Sequence, residues 1–165
     1  MPSAKQPKRT TAFFAANPVL DATNLRILRQ VSANPRISVK ALAAEIGMSG
    51  PAAAERLQRL HEAGVITGQR LEVDPRQLGL QVTAYVRVRP MPGELQNVAA
   101  LAVATPEVIE CHRVTGEDCF IMKVLVARIE DLEAVLDDFL RLGNTTSSIV
   151  QSTPVPLRSA PFPER

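Results

Sequence analysis

The chain has little of what a secreted, membrane-bound or metal-binding protein carries. No apolar run approaches the roughly 18 to 20 residues that cross a bilayer, and the opening MPSAKQPKRTTAFFAANP has no apolar core of a secretory signal. A cytosolic location is expected, with no role for a membrane. There are only two cysteines, Cys111 and Cys119, in an apolar-rich stretch. Buried, reduced thiols are expected rather than a disulfide. With His112 they make too few ligands, at no familiar zinc spacing, so neither a metal nor any other cofactor is implied. The 165 residues are 45% hydrophobic and 22% charged, a composition that excludes collagen-like and disordered classes.

Net charge is also scarce, at +2, which looks too neutral for a nucleic-acid binder. The total hides an asymmetry. Residues 1 to 79 hold 11 basic and 6 acidic side chains, whereas residues 80 to 165 hold 8 basic and 11 acidic. One half stands at +5 and the other at −3, as in two modules with different electrostatic tasks. Two domains of about 60 to 80 residues would each be marginal alone, so association with further subunits is expected.

Residues 1 to 19 read as a flexible basic arm, with Lys5, Lys8 and Arg9 clustered. Leu20, Asn24, Ile27, Leu28 and Val31 then fall mostly on one helical face, with Asp21 near the start and Asn34-Pro35 closing the helix. A second helix starts at Ser38, buries Leu42, Ala43 and Ile46, and stops at Gly47. A third starts at Ser49 with Pro51 in its first turn, buries Ala53, Leu57 and Leu60, and ends at Gly64. Val65 to Val73 reads as extended, and Asp74-Pro75 with Gly79 marks a turn at the domain boundary.

Three helices with a glycine turn between the second and third follow the helix-turn-helix plan, in which Ala43 permits close crossing and Gly47 permits positive φ. The N-terminal part of the third helix enters the major groove in such motifs. Ser49, Gly50, Pro51 and Ala52 are thereby placed near bases, Arg56 and Arg59 near phosphates, and Ser38 and Lys40 on the preceding helix. Such small residues read few base edges, so modest discrimination, assisted by DNA shape, is expected.

The second half opens on an alternation: Val82, Ala84, Val86 and Val88 point one way, Thr83, Tyr85, Arg87 and Arg89 the other. A helix through Leu95, Val98, Ala99 and Ala102 follows, then strands at Val108 to Val114 and Phe120 to Ala127. The next helix carries Leu132, Val135, Leu136, Phe139 and Leu140 and is capped by Gly143-Asn144. A strand from Thr145 to Ser152 completes a β-α-β-β-α-β, ferredoxin-like order. Beyond Pro154 the tail is Pro-rich and irregular. No catalytic constellation can be assembled, and His112 reads as a histidine on the sheet surface. The open sheet face, with Ile121 and Leu125, is expected to be covered by a second subunit.

Two stretches together carry a family resemblance. LDATNLRILRQVSANPRISVKALAAEIGMSGPAAAERLQRLHEAGVI with LEVDPRQLGL resembles the DNA-binding half of the Lrp/AsnC family of prokaryotic transcriptional regulators. PEVIECHRVTGEDCFIMKVLV with TTSSIVQSTPV resembles its ligand-binding, oligomerising half. The resemblance implies a dimer paired sheet to sheet, assembled further into tetramers or octamers, with a free amino acid bound where dimers meet. The family's ligand loop corresponds to Thr115, Gly116, Glu117 and Asp118. Here an aspartate, Asp118, replaces the usual aromatic and Cys119 the usual aspartate.

An amino-acid zwitterion needs an acceptor for its ammonium, which Glu117 or Asp118 supplies. It also needs donors for its carboxylate, such as loop N–H groups and the hydroxyls of Thr145, Thr146 and Ser147 from a neighbouring subunit; Gln151 completes the candidate set. By themselves these residues read as a hairpin turn and a β-branched strand; the resemblance is what makes them an effector site. The expectation is an α+β protein: an arm at 1 to 19, a winged-helix-like DNA-binding domain at 20 to 65, a linker strand at 66 to 79, a sensing and oligomerising domain at 80 to 153, and a tail at 154 to 165. A non-enzymatic regulator of transcription acting on double-stranded DNA is expected. The alternative is an amino-acid-binding regulator whose helical module contacts an enzyme or another protein.

Overall fold

A computed structural model describes residues 17–162; most of the expected basic arm lies outside the described residues. The chain forms two compact units, one of residues up to Leu71 together with the segment from Leu157, the other Glu72–Pro156. The division falls inside the expected connector.

In the first unit, α1 (Ala22–Ala33), α2 (Val39–Ile46) and α3 (Gly50–Glu62) close on a core of Leu25, Ile27, Leu28, Leu42, Ala43, Ile46, Ala53 and Leu60. Each helix starts on a side-chain cap. Asp21 accepts from the Asn24 N–H, Ser38 from that of Ala41 and Ser49 from that of Ala52, each satisfying an amide with no partner inside its helix. Gly47 ends α2 at φ 71°, a left-handed conformation that glycine adopts without strain.

Asn24 is the one polar residue in the apolar stripe of α1. It is buried but satisfied: its Nδ2 donates to the Val19 carbonyl at 2.6 Å, and its Oδ1 accepts from Arg56 Nη1 at 3.0 Å. The same Arg56 nitrogen donates to Asp21 Oδ2 at 2.7 Å. One guanidinium of α3 thus clamps the start of α1. The Asn24 backbone N–H and the Arg56 guanidinium hold the Asp21 carboxyl below its usual range.

The extended segment expected at Val65 to Val73 is not a strand. Val65 and Ile66 turn back, and their amides donate to the Leu60 carbonyl at 2.9 and 3.1 Å, which satisfies the end of α3. Residues 67 to 74 form no regular structure, and Pro75–Leu78 makes a 3-10 turn. At the other end of the chain, Phe162 packs on the core of the first unit, and Ser159 Oγ lies 2.8 Å from Ser32 Oγ.

The second unit runs β1 (Val82–Pro90), α4 (Leu95–Ala104), β2 (Val108–Arg113), β3 (Phe120–Val126), α5 (Ile129–Leu140), β4 (Gly143–Ile149). Its antiparallel sheet has the order β2-β3-β1-β4. Ala84, Val86 and Val88 of β1 meet Phe120, Met122, Val124 and Val126 of β3 and Val98, Ala102, Leu132, Val135 and Phe139 of the helices. Of the two residues expected on the open face, Ile121 is half-buried and Leu125 is already buried within the chain.

Two expectations are corrected here. Gly143 and Asn144 do not cap the preceding helix, because β4 begins with them, opposite Pro90 and Arg89. A Cβ on Gly143 would lie 2.2 Å from the Arg89 carbonyl oxygen, so glycine is required for close strand approach rather than for a turn. Nor are both thiols buried: Cys111 is exposed because β2 is an edge strand, and Cys119 is intermediate.

Gly143→Ala should destabilise the protein by about 2 kcal/mol or more, because backbone has to move to admit the methyl group; chemical denaturation measures this. Asp21→Ala should cost about 1 kcal/mol at neutral pH through the lost cap. A lowered folded-state pKa contributes stability above the ordinary carboxylate pKa of about 3.9 and loses it as pH falls. The gap between parent and variant should therefore narrow below about pH 4, as read in denaturation curves across pH.

Candidate DNA interface and effector site

The exposed tip of α3 consists of Ser49 and Pro51 beside partly covered Gly50 and Ala52. A Cβ on Gly50 would meet nothing within 4 Å, so no packing inside the unit calls for glycine there. Ser38 Oγ and Ser49 Oγ act as acceptors in their caps, at 3.2 and 3.4 Å. A hydroxyl can accept and donate together, so each keeps its proton for an outside acceptor. The amide ends of α2 and α3, with exposed Lys40, make an environment that attracts anions.

The two arginines named from the sequence have different settings. Arg59 is exposed and pairs with Glu55 one turn earlier on α3, an interaction of small worth. Arg56 is the clamp on Asp21 and Asn24, with its side chain 32% exposed. Its periodicity marks it as outward-facing, and only the packing of α3 against the start of α1 reveals its partners. Arg26, on α1, donates to the Glu45 carbonyl at 3.2 Å.

In the second unit, residues 114 to 119 close a hairpin in which the Val114 N–H donates to the Cys119 carbonyl at 2.8 Å, and Gly116 takes φ 121°, which strongly favours glycine. Both loop carboxylates turn toward β1. Asp118 Oδ2 lies 3.4 Å from Arg87 Nη1, Asp118 Oδ1 lies 3.9 Å from Arg89 Nε, and Glu117 is in close contact with Arg89. Strand register puts Thr146 directly opposite Arg87, and Asn144 opposite Arg89, on the same face.

The expected effector residues are thus divided. Glu117, Asp118 and Thr146 come together around the two arginines. Thr145 and Ser147 share the face of Val88 and Val86, the helix-covered side, and Gln151 lies beyond the strand and is exposed. Arg87 and Arg89 were legible only as outward-facing strand residues; their role as partners of the loop needs the hairpin to fold back beside β1. His112 sits on the edge strand with Nε2 2.7 Å from Glu110 Oε1. A separate cavity of about 440 Å³ lies between α4 and β2, lined by residues including Val103, Val108, Ile109 and Cys111. It shares no residue with the loop.

The sequence profile of the Lrp/AsnC ligand binding domain matches residues 83–160, and that of a winged helix-turn-helix DNA-binding domain matches residues 20–67. The chain is 34% identical to the HTH-type transcriptional regulator YezC of Bacillus subtilis, over 81% of this chain and 95% of that one. It is also 34% identical to a proline dehydrogenase transcriptional activator of Rhodobacter capsulatus, over 74% and 81% of the two chains. Among solved structures, E. coli AsnC superposes with a TM-score of 0.77 at 27% identity, covering 86% of this chain and 97% of its own. A Neisseria meningitidis transcriptional regulator, solved as a complex with L-Met, has the same fold at 24% identity with a TM-score of 0.80, over 86% and 96% of the chains. With both halves matched in order and these relatives covered over four fifths or more of their length, the chain belongs to the Lrp/AsnC family of helix-turn-helix transcriptional regulators.

Proposed function

We propose that this regulator docks the N-terminal end of α3 in the major groove of an operator and binds a free amino acid beside the 115–118 loop. The single observation that carries the DNA reading is the capped, uncluttered tip of α3. Ser49 and Ser38 keep donor protons there, Gly50 and Ala52 allow close approach, and Lys40 and Arg59 are exposed on the neighbouring surface. Arg56 contributes by fixing α3 against α1, so that the tip is presented at one angle.

Acidic and basic groups side by side at the loop suit a zwitterion, and the L-Met complex of the Neisseria relative supplies a precedent for that ligand class. The loop lies on the surface, with the Glu117 side chain 84% exposed, so a second subunit is needed to enclose a small molecule. The open sheet face, with Tyr85 and Ile121, supports pairing of subunits there. Ligand shared between subunits would shift assembly, and with it DNA affinity. Acting on DNA without catalysis of its own, the protein works in the cytoplasm; no helix among the described residues is long and apolar enough to cross a membrane.

Gel shifts on DNA upstream of the protein's own gene should show specific binding that weakens steeply with salt. Arg59→Ala should weaken binding nearly uniformly across sequences and lower the salt slope by about one, with folding intact. Absence of specific binding, or an unchanged slope in Arg59→Ala, would refute this assignment. Arg56→Ala should instead lower the thermal unfolding temperature along with affinity.

A further inference from the structure

We infer that Arg87 and Arg89 are the specificity-determining residues of the effector site and that they select amino acids with uncharged side chains; this rests on the effector reading above. Two guanidinium groups and two carboxylates meet at the end of the open sheet face, and their charges sum to zero. The arginines stand two residues apart on β1, so both project from one face, and flanking β4 adds only uncharged Asn144 and Thr146 opposite them. All four charged side chains retain exposure, from 30% for Asp118 to 84% for Glu117, so an incoming solute can reach them.

A zwitterion entering this array exchanges partners one for one. Its ammonium takes a loop carboxylate, and the guanidinium released from that carboxylate takes the ligand's carboxylate in bidentate fashion. Every charge then remains paired. A cationic side chain leaves one positive charge over, and an acidic side chain one negative, and enclosure by a second subunit makes either surplus costly. An amine without a carboxylate leaves a released arginine unpaired and is disfavoured for the same reason.

The test is calorimetric titration of the full-length protein with the twenty common L-amino acids, and of the tightest binder's α-amide, against the parent, Arg87→Gln, Arg89→Gln and Arg89→Lys. Expected is binding of uncharged amino acids in preference to L-lysine, L-arginine, L-aspartate and L-glutamate. Each Gln variant should bind the preferred amino acid about tenfold or more weakly and discriminate less against its amide, with partial recovery in Arg89→Lys. Preference for a charged amino acid, or parental affinity and amide discrimination in both Gln variants, overturns the role of the arginines while leaving the effector reading standing. Absence of binding of any amino acid to the parent overturns both.

Discussion

Strand β1 is hydrogen-bonded along both edges, to β3 on one side and β4 on the other, and the second unit is organised around that double pairing. A strand fixed on both edges cannot slip by one residue without reversing both of its faces. Ala84, Val86 and Val88 are thereby committed to the core and Arg87 and Arg89 to the open surface. The same pairing brings Gly143 against the Arg89 backbone and the 115–118 hairpin beside the Arg87 and Arg89 side chains. Core, strand start and charged site are consequences of one register.

The first unit depends on helix starts. Asp21, Ser38 and Ser49 each satisfy an amide that the helix geometry leaves open. Asp21 has a second task, because its carboxylate and the Asn24 amide oxygen hold Arg56. A residue whose helical position alone marks it as outward-facing is thus an internal strut. That contact ties α3 to the start of α1 and so bears on the cohesion of the three helices.

Much of this was legible in the residues. Cap, stripe and stop signals located the three helices, because Ser, Asp, Pro and Gly act on backbone groups within a few residues of themselves. The alternation from Val82 to Arg89 located β1 and its two faces. Features that require a partner distant in sequence were not legible. Gly143 looks like a helix terminator until β4 pairs with β1, and Val65 and Ile66 look extended until they fold back onto Leu60. The tail reads as irregular, yet Phe162 finds the core of the first unit. Of the effector candidates, adjacency in sequence grouped Thr145, Thr146 and Ser147, whereas the strand's period of two separates Thr146 from its neighbours.

The sequence by itself determined the order of elements, the two-module charge asymmetry and the residue types available to each site, because these follow from local backbone preference, hydrophobic period and composition. Tertiary structure alone decided which side chains meet. It joined Arg56 to Asp21, and Glu117 and Asp118 to Arg89 and Arg87. Ion pairing depends on distances of a few ångströms, and only the packing of helices and the register of strands bring residues 28 to 35 positions apart within that reach.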